Sequence, residues 1–353
     1  MNKIEAGLRR MDAFQQRHRA TAFLFGVQKK FGDDNAGTLI ANLAYAGFVT
    51  LFPLMLLLVT VLGLLAGSSS AIAHSIESSA LSQFPIIGPE IQHNIHALHG
   101  ASALSFTIGL LGLLWGATGL SQTAMYAMEE IWNVPGVIRP NFVGRLWRAF
   151  AFLGVLALSV VCSAFLSSFG IVGQRGFLLG AAAEIVSALL NIGAYLLSFR
   201  VLTPPVVRTR QLVVGVVFGG IMWTVVQAVG GYLVERDLKH ASPVYGLFAI
   251  VLGLLAWIYL AARVAIYASE VNAVLAYRLW PRSIVQPPLT EADERSLTLQ
   301  VTEQRRRPEQ RVEVSYDANH TSVSPAQREK PSPNATYARF ERDTDDRSSQ
   351  AGA

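Results

Sequence analysis

The chain has 353 residues, of which 52% are hydrophobic and 15% charged, and its mean hydropathy is +0.37. Soluble globular chains carry about 25% charged residues, so this composition excludes an ordinary soluble enzyme and indicates an integral membrane protein. Charge is unevenly spread: from Pro287 onward 10 Lys/Arg accompany 12 Asp/Glu, whereas the first 286 residues hold 19 and 12. The basic residues of this body sit between apolar runs rather than on one face interleaved with stacking aromatics, so a nucleic-acid partner is not expected despite a pI near 9.4.

Taken in chain order, residues 1–36 form a cytoplasmic N-terminal segment. Within it, Phe14, Ala20, Leu24, Val27 and Phe31 recur at roughly helical spacing among Arg17, His18, Arg19, Lys29 and Lys30. That pattern suits a basic amphipathic helix lying on the membrane or packed on the protein's own face. The same stretch has no short apolar core followed by a small-residue cleavage site, so the first spanning helix is expected to serve as the insertion signal.

A helix crossing about 30 Å of hydrocarbon needs roughly 20 apolar residues. Runs of that kind lie near 39–66, 103–128, 147–169, 176–199, 212–234 and 244–268, which predicts an all-α polytopic membrane protein with six transmembrane helices over residues 37–282. Pro53 should kink the first span and Pro204-Pro205 should end the fourth. Gly112 with Gly116, and Gly215 with Gly219, are small-residue pairs that would let helices approach closely. Residues 283–353, rich in Pro, Ser, Gln, Arg and Asp, read as a disordered cytoplasmic tail.

Lys and Arg set the orientation. Seven lie before the first span, Arg139, Arg145 and Arg148 mark the second connection, and Arg200, Arg208 and Arg210 the fourth, whereas the connection over 67–102 has none. Both termini are therefore expected in the cytoplasm. The outward connection holds His74, His93, His96 and His99; no cysteine accompanies them, and a solvated amphipathic segment accounts for them better than a metal site. Cys162 is the sole cysteine and lies inside an apolar run, which excludes an intrachain disulfide and a thiolate cluster. No cofactor or metal is expected.

Ionisable and amide side chains inside spans are costly and mark either function or helix pairing. Glu184 is the deepest acid, and Asn191 lies two turns further on the same face. Arg263 and Glu270 share a face of the last span, with Asn272 close by, and Asn42, Gln122 and Gln227 place amides in three others. Together they form a candidate intramembrane polar site, with interhelical hydrogen bonding as the alternative reading of each.

The stretches NLAYAGFVTLFPL from Asn42, GLLGLLWGATGLSQTAMYAMEEIWNVP across the second span, VLTPPVVRTRQLVVGVVFGG at the fourth connection and VYGLFAIVLGLLAWIYLAARVAIYASEVNA at the close resemble the YihY/BrkB membrane family over about residues 20–280. Pro53, Trp115, Pro205 and the Glu270-x-Asn272 pair carry the likeness, although Tyr267-Ala268-Ser269 stands where a glycine-containing approach is expected. The resemblance implies a six-helix protein of the bacterial inner membrane, in a family whose members carry the labels serum-resistance factor and ribonuclease BN. Membrane lipids are its expected surroundings. Movement of an anionic lipid or small solute is the leading functional expectation, with a non-transporting envelope scaffold as the alternative. A ribonuclease is disfavoured because the inward connections offer Glu129 and Glu130 but no histidine to share acid and base roles. A reporter active only outside the cytoplasm should function when fused near Leu81 and fail near Pro140, Thr209 or Gln350; the reverse pattern would overturn the orientation.

Overall fold

A computed structural model describes residues 3–66, 103–173, 177–237 and 243–316. The described residues are helical, without strands: α1 (Lys3–Arg17), α2 (Arg19–Asp33), α3 (Ala36–Ala66), α4 (Ala103–Ile131), α5 (Phe142–Gly173), α6 (Phe177–Leu202), α7 (Thr209–Asp237), α8 (Pro243–Tyr277) and α9 (Glu291–Glu303), with a short 3-10 turn at Gly136–Ile138. Five stretches are long and apolar enough to cross a membrane: Ala36–Leu54, Phe142–Ser159, Ile185–Leu202, Thr209–Gln227 and Val251–Tyr277. Helix α4 supplies the remaining long helix of the expected six. The four outer-connection histidines lie outside the described residues, as does the side chain of Glu184 on α6.

Large apolar side chains point away from the protein: Trp115 is 76% exposed, Trp147 75% and Phe142 71%. Contiguous apolar surface on this scale suits hydrocarbon rather than water. The interior is correspondingly thin. One apolar cluster joins Met125 and Met128 of α4, with Trp132 just after it, to Phe199 and Leu202 of α6 and Leu212 and Val216 of α7. A second joins Leu39 and Ile40 of α3 to Ile131 of α4 and Ile266 of α8.

Small residues let these helices meet. A Cβ at Gly112 would lie 2.9 Å from the Pro53 ring, and one at Gly116 would lie 3.2 Å from Thr50; α4 therefore seats on the proline-bearing turn of α3. Gly215 is more confined, since its Cβ would fall 1.9 Å from the Ala268 carbonyl oxygen of α8. The Asn272 amide exploits that approach, accepting from Gly215 N at 2.6 Å and donating to Leu212 O at 2.9 Å.

The N-terminal segment forms two helices. Of its two readings, α2 follows the second: Val27 packs with Val274 and Leu279, Phe31 stacks on Tyr267 at 4.6 Å, and Gly26 admits the Leu279 carbonyl. Leu8, Met11 and Phe14 of α1 remain exposed, as a membrane-surface helix would have them.

The expectation of disorder from residue 283 fails for its first part. Residues 283–316 are described and α9 is a formed helix, because local chemistry outweighs mean composition. Thr290 and Asp293 form a reciprocal capping box, and the face bearing Ala292, Asp293, Ser296 and Glu303 is buried.

Gly215→Ala should lower the thermal midpoint of the detergent-purified protein by several degrees, since overpacking costs about 1–3 kcal/mol. Gly193→Ala, where a Cβ meets nothing within 4 Å, should leave it unchanged or raise it. Equal behaviour of the two variants would contradict the close approach of α7 and α8.

Candidate functional site

The in-span polar side chains that are described do not gather at one point. Asn191 of α6 donates to Thr224 Oγ1 at 3.2 Å and to Gln227 Oε1 at 3.3 Å, both on α7, so these three half-buried groups make a polar seam between two spans. Asn272 is occupied by the clamp on α7. Asn42 is exposed and Gln122 half-buried. Arg263 and Glu270 differ in surroundings despite their spacing: Arg263 is exposed with its guanidinium over the Tyr267 ring at 5.7 Å, whereas Glu270 is 0% exposed. The reason is height along the helix, because α2 covers α8 around Tyr267 and below it but not two turns further into the span.

Most of the charge collects at the end of the bundle where α2, α4, α8 and α9 meet, called here the basic end. Three left-handed residues shape it: Asn35, Asn133 and Arg278, with φ of 50°, 44° and 53°. At the ends of α4 and α8 the backbone closes with Val134 N to Glu129 O and Leu279 N to Val274 O, the hydrogen-bond pattern of a helix C-terminus turned by an αL residue. The turn at Asn133 points its amide inward, where it accepts from Lys30 Nζ at 3.1 Å and donates to Glu303 Oε2 at 2.9 Å.

Around that amide the ion pairs interlock. Lys30 bonds Asp34 one turn on, with both side chains almost fully buried. Arg139 reaches Glu303 at 2.8 Å and Glu130 at 3.1 Å, and Arg145 reaches Glu129 at 2.6 Å. Burial, reinforced by neighbouring Glu130, pushes the Glu303 carboxyl up to about 8 despite Asn133 and Arg139. A cavity of about 190 Å³ opens among Asp33, Asp34, Glu130, Asn133, Gln300 and Glu303.

Lys30, Asp34, Asn133 and Glu303 were not among the sequence candidates. The adjacent acids Asp33-Asp34 and Glu129-Glu130 at span ends, and the Thr290-x-x-Asp293 capping pattern, were the available signals.

Asp293 fastens α9 in place. It accepts from Lys29 at 2.8 Å, Arg282 Nε at 2.9 Å, and the Ser283 hydroxyl and backbone N–H at 2.6 and 3.0 Å, while Arg282 also pairs with Asp33 at 2.5 Å. Burial works against the charge, but these donors outweigh it and hold the Asp293 carboxyl well below the usual aspartate range.

Arginines dominate the neighbouring face, formed by α5, α6 and α7. Arg148 donates to Thr203 O at 3.0 Å and Arg200 to Val207 O at 3.3 Å, so both spend bonds on backbone carbonyls of the α6–α7 connection. Arg148 lies within electrostatic range of Arg200 and of Glu129. Arg208 and Arg210 are exposed beside them. Among the described residues no cluster of three His, Cys, Asp or Glu side chains could hold a metal ion.

Asp293→Asn should cost about 3 kcal/mol, the usual penalty for breaking a buried pair, and deletion of 287–353 should cost at least as much. With a folded-state pKa well below the unfolded value near 3.9, the Asp293 contribution is fully present above that value, begins to fall as pH drops below it, and is lost completely only through the folded pKa. Thermal unfolding in detergent from pH 7 to pH 3 checks both claims; a truncated chain as stable as the full one would show that α9 contributes nothing.

The profile of the family described as Virulence factor BrkB matches residues 27–290. Similar chains include a UPF0761 membrane protein of Pseudoalteromonas atlantica, 22% identical over 66% of this chain and 79% of its own length. Another, from Tolumonas auensis, is 26% identical over 73% of this chain and 85% of its own. YfkH of Bacillus subtilis, whose name calls it ribonuclease-like, is 24% identical over 67% of this chain and 89% of its own. No solved structure matches. The family match covers the described spans and the basic end up to residue 290, and the chain belongs to the BrkB virulence-factor family of membrane proteins.

Proposed function

We propose that this protein recognises an anionic lipid headgroup or small anionic solute at the arginine face of α5, α6 and α7, and moves it along the α6–α7 seam without enzymatic chemistry. The supporting observation is the separation of charge at the basic end. Carboxylates collect around α2, α4 and α9, where Arg139, Arg145 and Arg282 pair with them. Arg148 and Arg200 bond only backbone oxygens in the bonds described above, and Arg208 and Arg210 stand exposed nearby. Guanidinium groups so placed suit phosphate or carboxylate, which they bind through two parallel hydrogen bonds. The basic-residue rule assigns this end to the cytoplasm, where anionic lipid is concentrated.

The same helices offer a polar route inward, because Asn191, Thr224 and Gln227 lie on the α6–α7 contact deeper in the span. Against a ribonuclease reading, Glu129 and Glu130 are each engaged by an arginine rather than free to exchange protons with a substrate.

Reconstitution into vesicles with labelled anionic and zwitterionic lipids tests the proposal. Wild type should speed movement of the anionic lipid, and Arg148→Gln with Arg200→Gln should slow it by at least about tenfold, the loss expected for even one charge-assisted hydrogen bond. Movement of the zwitterionic lipid should be unaffected. No movement of anionic lipid or of a small-anion panel, or equal slowing of both lipids, would overturn it.

A further inference from the structure

Glu270 presents a problem that the arginine face does not explain. It is wholly buried, and neither carboxylate oxygen accepts a hydrogen bond from a donor group among the described residues. A buried carboxylate with no donor is strongly disfavoured, and one in a membrane helix is kept only for a reason. Its polar neighbours are the Asp34 carboxyl, within hydrogen-bonding reach, and the Lys30 ammonium. Two carboxylates can bond one another only when a proton lies between them.

We propose that Asp34 and Glu270 form a proton-binding site, holding one proton between their carboxyls with Lys30 as the fixed counter-charge. The charge count supports one proton: Lys30 supplies a single positive charge against two carboxyls, and one bound proton makes the triad neutral. Lys30 is held in place by Asp34 and Asn133, with Glu270 and Glu303 also favouring its charge, so it is the fixed member. On protonation one carboxylate becomes a carboxylic acid whose O–H donates to the other; on release that bond is lost and two anions face one ammonium.

Access to water comes through the cavity lined by Asp33, Asp34, Glu130 and Glu303, whose acids can pass a proton inward. The facing groups from every packed element are Lys30 and Asp33 of α2, Glu130 of α4, Asn133 and Arg139 of the following connection, and Glu303 of α9. Asp33 is engaged by Arg282, and Glu130 and Glu303 by Arg139. Glu270 and Asp34 are left with one cation between them. A metal ion suits the site less well, because the ammonium of Lys30 already bonds the Asp34 carboxyl and supplies the counter-charge that a metal would bring.

The test uses the full chain in detergent and reads the infrared carbonyl band of protonated carboxyls at neutral pH, so it is independent of any transport. Both Glu270→Gln and Asp34→Asn should lower the wild-type band by one carboxyl, because the remaining acid then ionises against Lys30. Undiminished intensity in either variant overturns the shared proton. Exchanging choline chloride for sodium or potassium chloride should leave the wild-type band unchanged; its loss would replace the proton with a metal cation and also overturn the proposal. Should Glu270→Gln fail to fold, Asp34→Asn and the salt exchange on wild type still decide.

Discussion

Hydrocarbon offers a polar group no hydrogen-bond partner, so each such group on these helices must be satisfied by its own helix, by a neighbour, or at an end. All three solutions are visible. Thr50 and Ser121 bond carbonyls one turn back, at Ala46 and Ala117, both at 2.7 Å. Asn191 and Asn272 bond across helices, and the latter fixes how closely α7 and α8 can approach. Most charged groups, Arg263 and Glu184 aside, are displaced to the basic end, where α2 and α9 exclude water enough to make each pairing consequential.

That displacement organises the molecule. Carboxylates and their partners fill one side of the basic end, around Asn133, and the arginines of α5, α6 and α7 occupy the other. Arg145 bridges the two through Glu129. The same end thus places the arginines proposed to meet anions beside the carboxyls proposed to hold a proton, with Arg145 and Glu129 linking the two sides.

The spans were legible because length and hydropathy alone decide them, and the glycine pairs because close packing needs a missing side chain. The charged layer was not, since its members come from segments far apart in the chain: Lys30, Asn133 and Glu303 are brought together only by tertiary packing. Asn35 and Asn133 read as ordinary polar residues unless their left-handed backbone is known. Helix α9 was hidden for a different reason. Averaged over 67 residues the tail is polar, yet Thr290 and Asp293 start a helix and supply its buried anchor, and a window of a few residues around them carries a signal that the average dilutes. Glu270 and Arg263 show the converse limit, as helical spacing assigned them one face but could not say how far α2 extends along it.

The attachment of α9 also sets an order of events during synthesis. Lys29, Asn133 and Arg139 are made early, but the groups that complete their bonding, Asp293 and Glu303, emerge only after the last span has been inserted. Segments that flank the spans in the sequence, α2 and α9, therefore meet only after the spans between them have been made. Until Asp293 is made, Lys29 lacks its carboxylate partner, so the docking of α9 is registered in the charge of this face.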